Sequence, residues 1–177
     1  MPLKTLKTTI LALFISGFSG IAQESTVDYT GYADSIDTTI KSLYLVISGE
    51  KGKERNWELF RYLFHPDAKL IPSGKNKEGN FLVRYMTPDD YINSSGQWLL
   101  DNGFFEKEIA RKTEVYGNIA HVFSTYESFH TTEDESPFMR GINSIQLLND
   151  GTRWWIVNIY WTQETSENPI PEKYLKN

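Results

Sequence analysis

Few residues in this chain can do chemistry, and they are widely spaced. There are three histidines, His65, His121 and His130, and no cysteine. The lack of a thiol excludes a cysteine nucleophile, a thiolate metal site, a disulfide and a lipidated cysteine. No two histidines stand at metal-ligand spacing, and "HTTEDES" (130–136) lacks the ligand order of a calcium loop, so neither a metal nor a cofactor is expected. Ser124 and Ser128 lie in a strand-like run rather than the strand–turn–helix of a nucleophile elbow. His65 stands just before Pro66, as a helix-end capping residue or as an acid/base group. His121 reads as a surface partner of Glu114. Two amides, Asn143 and Asn158, sit inside "GINSIQLLNDGTRWWIVNIYW" (141–161), where hydrocarbon is otherwise the rule.

The elements that must position these groups are marked by period and punctuation. Ile36, Ile40, Leu43, Tyr44 and Ile47 form the stripe of an amphipathic helix that ends before Gly49. Asn56 caps a second helix carrying Trp57, Phe60, Leu63 and Phe64, which "HPDA" ends. A short strand, 68–72, and a second, 81–86, flank the loop "SGKNKEGN". Thr87, Pro88, Asp89 and Asp90 start a third helix that Gly103 closes. Four long strands follow, 104–116, 119–130, 140–149 and 152–164, joined in pairs at Gly117-Asn118 and Asp150-Gly151. Helices first and strands last imply an α+β fold, a curved antiparallel sheet wrapped around three helices with a conical pocket between them.

The first 22 residues stand apart. Lys4 and Lys7 precede the apolar run "TILALFISGF" (9–18), and Gly20 and Ala22 are small residues ahead of Gln23. That is the grammar of a signal peptide, and about ten apolar residues are too few to span a bilayer. Cleavage there removes two lysines and no acid, leaving 16 Lys+Arg against 23 Asp+Glu and a formal net charge of −7. An acidic chain without a basic stripe is no nucleic-acid binder. The expected organisation is a signal peptide (1–22), a polar lead-in (23–31), one α+β domain (32–164) and a coil tail (165–177), periplasmic or secreted and free of the membrane after cleavage.

Three stretches carry a family resemblance: "LFHPDAKLI" (63–71), "GNIAHVFSTYE" (117–127) and "NDGTRWWIV" (149–157). The first is similar to a Phe-x-x-Asp-Ala helix ending and the third to an Asp-Gly-x-Trp-x-Ile hairpin. In this order the chain resembles the nuclear transport factor two-like superfamily, the cone-shaped fold of ketosteroid isomerases, scytalone dehydratase and polyketide cyclases. The resemblance covers most of 32–164 and is to exported bacterial members of no established activity. It implies an isomerase base on the first strand, but that stretch reads Lys69-Leu70-Ile71-Pro72-Ser73, without a carboxylate. The helix-one tyrosine would fall near Ser42 or Leu43, with Tyr44 matching after a one-residue slip. The isomerase's protonated acid would fall near Asn143 or Ser144.

A two-residue Asp150-Gly151 turn sets Asn143 opposite Asn158 and Gly141 opposite Tyr160. The resemblance turns Trp154 and Ile156 into the cone, and with them Asn158 and Tyr160. The amides then tie two strands or hold a ligand. In the Gly117-Asn118 hairpin Arg111 faces Ser124 and Ile109 faces Tyr126. Arg111 is then a buried cation for an anionic group, or a surface residue if a bulge intervenes. The expected site is an apolar, aromatic pocket for a small organic molecule. Its polar contacts are Asn143, Asn158, Tyr160, Tyr126 and Arg111, and its walls are Trp154, Trp98 and Tyr44. Trp155, Val157, Ile159, Trp161 and Arg140 would form the seam of a homodimer. An isomerase, dehydratase or cyclase acting on a small hydrophobic substrate is the alternative, and a dimeric interaction module with a closed core is a second.

Overall fold

Side-chain caps start all three helices. In the computed structural model, which describes residues 27–176, α1 (Ile36–Ile47) begins with a capping box between Ser35 and Thr38. Asn56 accepts from the Leu59 amide at the head of α2 (Trp57–Leu63). Thr87 and Asp90 form the box of α3 (Pro88–Asn102), with Pro88 in its first turn. The expected leader lies outside the described residues. Arg55 ties the far ends of two helices together. It donates to the carbonyls of Ile47 (2.9 Å), Gly49 (2.8 Å) and Leu99 (3.1 Å), where helix dipoles favour a cation.

The strands are β1 (Phe64–Lys75), β2 (Phe81–Val83), β3 (Phe105–Tyr116), β4 (Ile119–Phe129), β5 (Met139–Asn149) and β6 (Trp154–Gln163). They form one sheet in the order β2-β1-β6-β5-β4-β3. All neighbours are antiparallel except β1 and β6, which are parallel. The fold is α+β as expected, with a mixed sheet. Apolar side chains of α1, α2 and α3 bury against Val122, Tyr126, Ile145, Leu147, Ile156 and Ile159 of its inner face.

Two departures from simple alternation decide what that face carries. The β5–β6 turn is longer than two residues. Asp150 Oδ1 accepts from the amides of Thr152 (2.8 Å) and Arg153 (3.0 Å), so that Asn149 pairs with Trp154. Two added residues leave the faces unchanged, and Trp154 and Ile156 stay inward. Val157 is then an extra, bulged residue between the pairs Leu147–Ile156 and Gln146–Asn158. One added residue flips every later side chain. Asn143 therefore lies opposite Trp161, not Asn158, and Ile159 and Trp161 turn inward while Asn158 and Tyr160 turn outward. The β3–β4 register keeps Arg111 opposite Ser124, as expected, but Ile109 is bulged. Glu108 then faces Tyr126 and Glu106 faces Ser128. Both glutamates consequently share the inner face with Arg111.

Beyond the domain, the expected coil tail is seated on the outer face. Thr125 Oγ1 donates to the Tyr174 carbonyl at 2.6 Å, and the Tyr174 ring lies 4.9 Å from that of Phe123.

Gly141 lets Tyr126 lie across β5. A Cβ there would meet the Tyr126 hydroxyl and the Thr162 carbonyl, each at 2.5 Å. Gly141→Ala should lower unfolding free energy by about 1–3 kcal/mol in urea, whereas Gly74→Ala, into open space, should change it by less than about 0.5 kcal/mol.

Candidate functional site

A cavity of about 190 Å³ opens between the helices and the inner face of the sheet. Its walls include Leu43 and Ile47 of α1, Phe60 of α2, Tyr91, Trp98 and Leu99 of α3, Phe104, and Ile159 and Trp161 of β6. The polar groups reaching it include Glu106, Asn143, Tyr91 and Tyr126. Trp98 is half exposed and lies at the rim, its ring 6.2 Å from those of Phe104 and His130. An apolar cavity of about 150 Å³ already holds benzene, so this one has room for a compact organic molecule.

Among the described residues lining that wall, Glu106 carries the only carboxyl. Its Oε2 accepts from Ser128 Oγ at 2.9 Å and its Oε1 from Asn143 Nδ2 in a long hydrogen bond of 3.5 Å. Burial pushes its carboxyl up to about 7, while the bonds from Ser128 and Asn143 pull the other way. A carboxyl titrating there is poised to take or give a proton at neutral pH.

The surroundings fix Glu106 without neutralising it. Asn143 Nδ2 also donates to the Tyr44 hydroxyl at 3.1 Å, and Tyr44 lies 2.7 Å from Ser124 Oγ. Ser124 donates to Glu108 Oε1. Arg111 grips Glu108 through Nε (2.8 and 3.0 Å) and Nη2 (2.6 Å), and reaches Asp37 of α1 through Nη1. Burial raises the phenols of Tyr44, Tyr91 and Tyr126 well above the usual range, and the charge on Glu106 adds to it. Tyr91 and Tyr126 line the cavity, and their hydroxyls make no hydrogen bond among the described residues. They are open to a ligand.

The residues expected from sequence separate into three groups. Asn143, Tyr126 and Trp98 meet at the cavity, with Tyr44 directly behind Asn143. Arg111 points inward as one reading had it, but Glu108 and Asp37 engage its guanidinium at the sheet edge. Trp154 packs against the core away from the cavity walls named above. Asn158 and Tyr160 sit on the outer face, because of the bulge at Val157. His65 is outside too, its ring 5.9 Å from Trp155 and its Nδ1 accepting from the Asp67 amide.

Of the expected seam residues, Ile159 and Trp161 face the cavity. Arg140 pairs with Glu164 (2.7 Å) and Glu127 (3.9 Å). Trp155 and Val157 remain on the outer side. His121 bonds Ser144 Oγ at 2.9 Å, and His130 stacks on Phe138 at 4.1 Å. Sequence reasoning missed Glu106 and Glu108. The available signal was their spacing, since residues two apart on a strand share a face in any register.

Burial of Glu106 also couples stability to pH. The folded carboxyl holds its proton to higher pH than the unfolded one, whose ordinary value is 4.5, so stability is full below pH 4.5 and falls as pH rises to about 7. The loss attributable to Glu106 is about 3 kcal/mol at most. The difference between wild type and Glu106→Gln in urea unfolding, followed from pH 4 to 8, should show that slope; parallel curves would exclude it.

No protein-family model matches the chain, and no curated protein matches it. Solved structures do. A protein of unknown function from Mycobacterium tuberculosis aligns with a TM-score of 0.58 at 14% identity, over 77% of this chain and 75% of that one. A nuclear transport factor 2-like superfamily protein from Salmonella enterica serovar Typhimurium aligns at 0.52 and 17% identity, over 76% and 88%. A protein from Parabacteroides distasonis, provisionally named a ketosteroid isomerase, aligns at 0.51 and 10% identity, over 77% and 98%. At these identities the likeness establishes architecture: the chain has the cone-shaped fold of the nuclear transport factor 2-like proteins.

Proposed function

We propose that this chain is an exported cone-fold protein that binds a small, mainly apolar organic molecule and moves a proton on it. Glu106 is its acid/base group. The observation that carries the reading is a carboxyl buried on the wall of a cavity lined with aromatic rings and met only by Ser128 and Asn143, a setting that pushes it up to about 7. A site evolved only for apolar binding gains nothing from such a group, which lowers stability at neutral pH. Ionised, Glu106 takes a proton from carbon beside a carbonyl or a leaving group; protonated, it returns one. Tyr91 and Tyr126 are uncommitted donors for an oxygen that gains charge meanwhile. Isomerisation, dehydration and cyclisation all contain this step. The leader grammar of residues 1–22 supports export.

The test uses 5-nitrobenzisoxazole. A base removes its carbon-bound proton, the electron pair forms the nitrile, and the N–O bond breaks to a coloured phenolate. Turnover should rise with pH to a plateau, with its inflection near 7. Glu106→Gln should lower the rate by about 100-fold or more. A variant as active as wild type removes Glu106 from the role, and saturable binding without turnover overturns the proton-transfer half of the reading.

A further inference from the structure

The groups behind Asn143 form a chain with one direction. Glu108, salt-bridged to Arg111, only accepts hydrogen bonds, so Ser124 spends its single proton on it. Ser124 therefore accepts from the Tyr44 hydroxyl at 2.7 Å. Tyr44, its proton spent, accepts from Asn143 Nδ2 at 3.1 Å. That choice leaves the amide's nitrogen, 3.5 Å from Oε1, and not its carbonyl, toward Glu106. Neither Glu108 nor Ser124 lines the cavity. Both act through others.

We propose that Glu108 is a positioning residue for Glu106: through Ser124 and Tyr44 it sets the sense of the hydrogen-bond chain, so that Asn143 presents an N–H to the acid/base carboxyl. The proposal rests on the reading of Glu106 given above. An N–H favours the ionised form of Glu106 and a carbonyl favours the protonated acid. The chain thus keeps the carboxyl acidic enough to ionise at neutral pH despite its burial.

The other titratable groups facing Glu106 do not compete. Tyr44 of α1, Tyr91 of α3 and Tyr126 of β4 are all pushed up by burial and stay protonated. The neighbouring Lys107 turns to Glu127 (3.4 Å) and the Phe129 ring (4.5 Å). Glu108 itself is engaged by Arg111.

Cutting the chain at Ser124 changes no charge. It frees the Tyr44 proton for the Asn143 carbonyl, reversing the amide. The test is carboxyl 13C NMR of the full chain carrying labelled glutamate, with Glu106→Gln identifying the resonance. Ser124→Ala should raise the Glu106 titration by about one pH unit, and Ser124→Thr, which keeps a hydroxyl, should restore it. A Ser124→Ala titration that overlays wild type, in a protein with unchanged amide spectra, overturns the proposal. Where Ser124→Ala does not fold, Tyr44→Phe removes the lock at the next link. It should move the titration in the same direction, and an unmoved titration overturns the proposal equally. A wild-type Glu106 that titrates in the ordinary carboxylate range defeats the acid/base reading alone. The difference between variant and wild type still reports on the chain.

Discussion

An ionised carboxylate among aromatic rings loses most of its solvation, and the inner face of this sheet is organised around that cost at Glu106. Each carboxyl oxygen has one donor, Ser128 or Asn143. Among the described residues no cation pairs with it. Lys107, adjacent in sequence, is turned to Glu127 and the face of Phe129, while Arg111 is committed to Glu108 and Asp37. A lysine or arginine beside Glu106 would return its carboxyl to the ordinary range and remove the property on which its proposed role depends. The site therefore holds two glutamates on one strand in opposite states of compensation. Glu108 has a clasped guanidinium; Glu106 has only neutral donors. Their different partners give them different work, a fixed anchor and a titrating group.

Two bulges produce this arrangement, one on each side of the cavity. Uniform alternation from Arg111 would place Ile109, Lys107 and Phe105 on the inner face of β3. That would put an ammonium where the carboxyl now sits. The extra residue at Ile109 exchanges that set for Glu108 and Glu106. On β6 the extra residue at Val157 exchanges Asn158 and Tyr160 for Ile159 and Trp161. The first bulge brings in acid groups and the second brings in the apolar wall that desolvates them. The turn at Asp150 contributes differently: its carboxylate gathers the Thr152 and Arg153 amides and the Trp155 indole, so the turn lengthens without changing which residues face inward before Val157.

Much of the scaffold was legible because it is written in local chemistry. The caps at Asn56 and Thr87 and the hairpin tip at Gly117-Asn118 follow from residues within a few positions of one another; that tip in turn sets Arg111 opposite Ser124. The fold class followed from element order. The bulges were not legible, since an extra residue inside an alternating strand leaves the composition of "FEKEIARK" or "WWIVNIYW" looking like an unbroken strand. The parallel pairing of β1 with β6 joins residues about 90 positions apart in sequence, beyond any local signal. The site was legible in part. Asn143, Tyr126 and Tyr44 could be placed near a cavity, but their common partner Glu106 reads in sequence as one more charge on an exposed edge strand.

The position of that partner bears on how far a shared fold predicts chemistry. The resemblance sets the acid/base group on the first strand, where this chain has Lys69, and by that criterion it lacks one. The inner face of a cone, however, converges: side chains from α1, α3 and several strands reach the same small volume. Glu106 reaches it from β3, at the opposite edge of the sheet from the β1–β2 hairpin. What a strand position must supply is an inward direction, an apolar wall to hold the carboxyl up and neutral donors to hold it still. Ile109, Trp161 and Asn143 supply these three at Glu106, and none of them is part of a motif tied to the first strand. On the proposed reading, a fold of this kind fixes the volume into which side chains converge, and the group that moves a proton can enter it from a different strand.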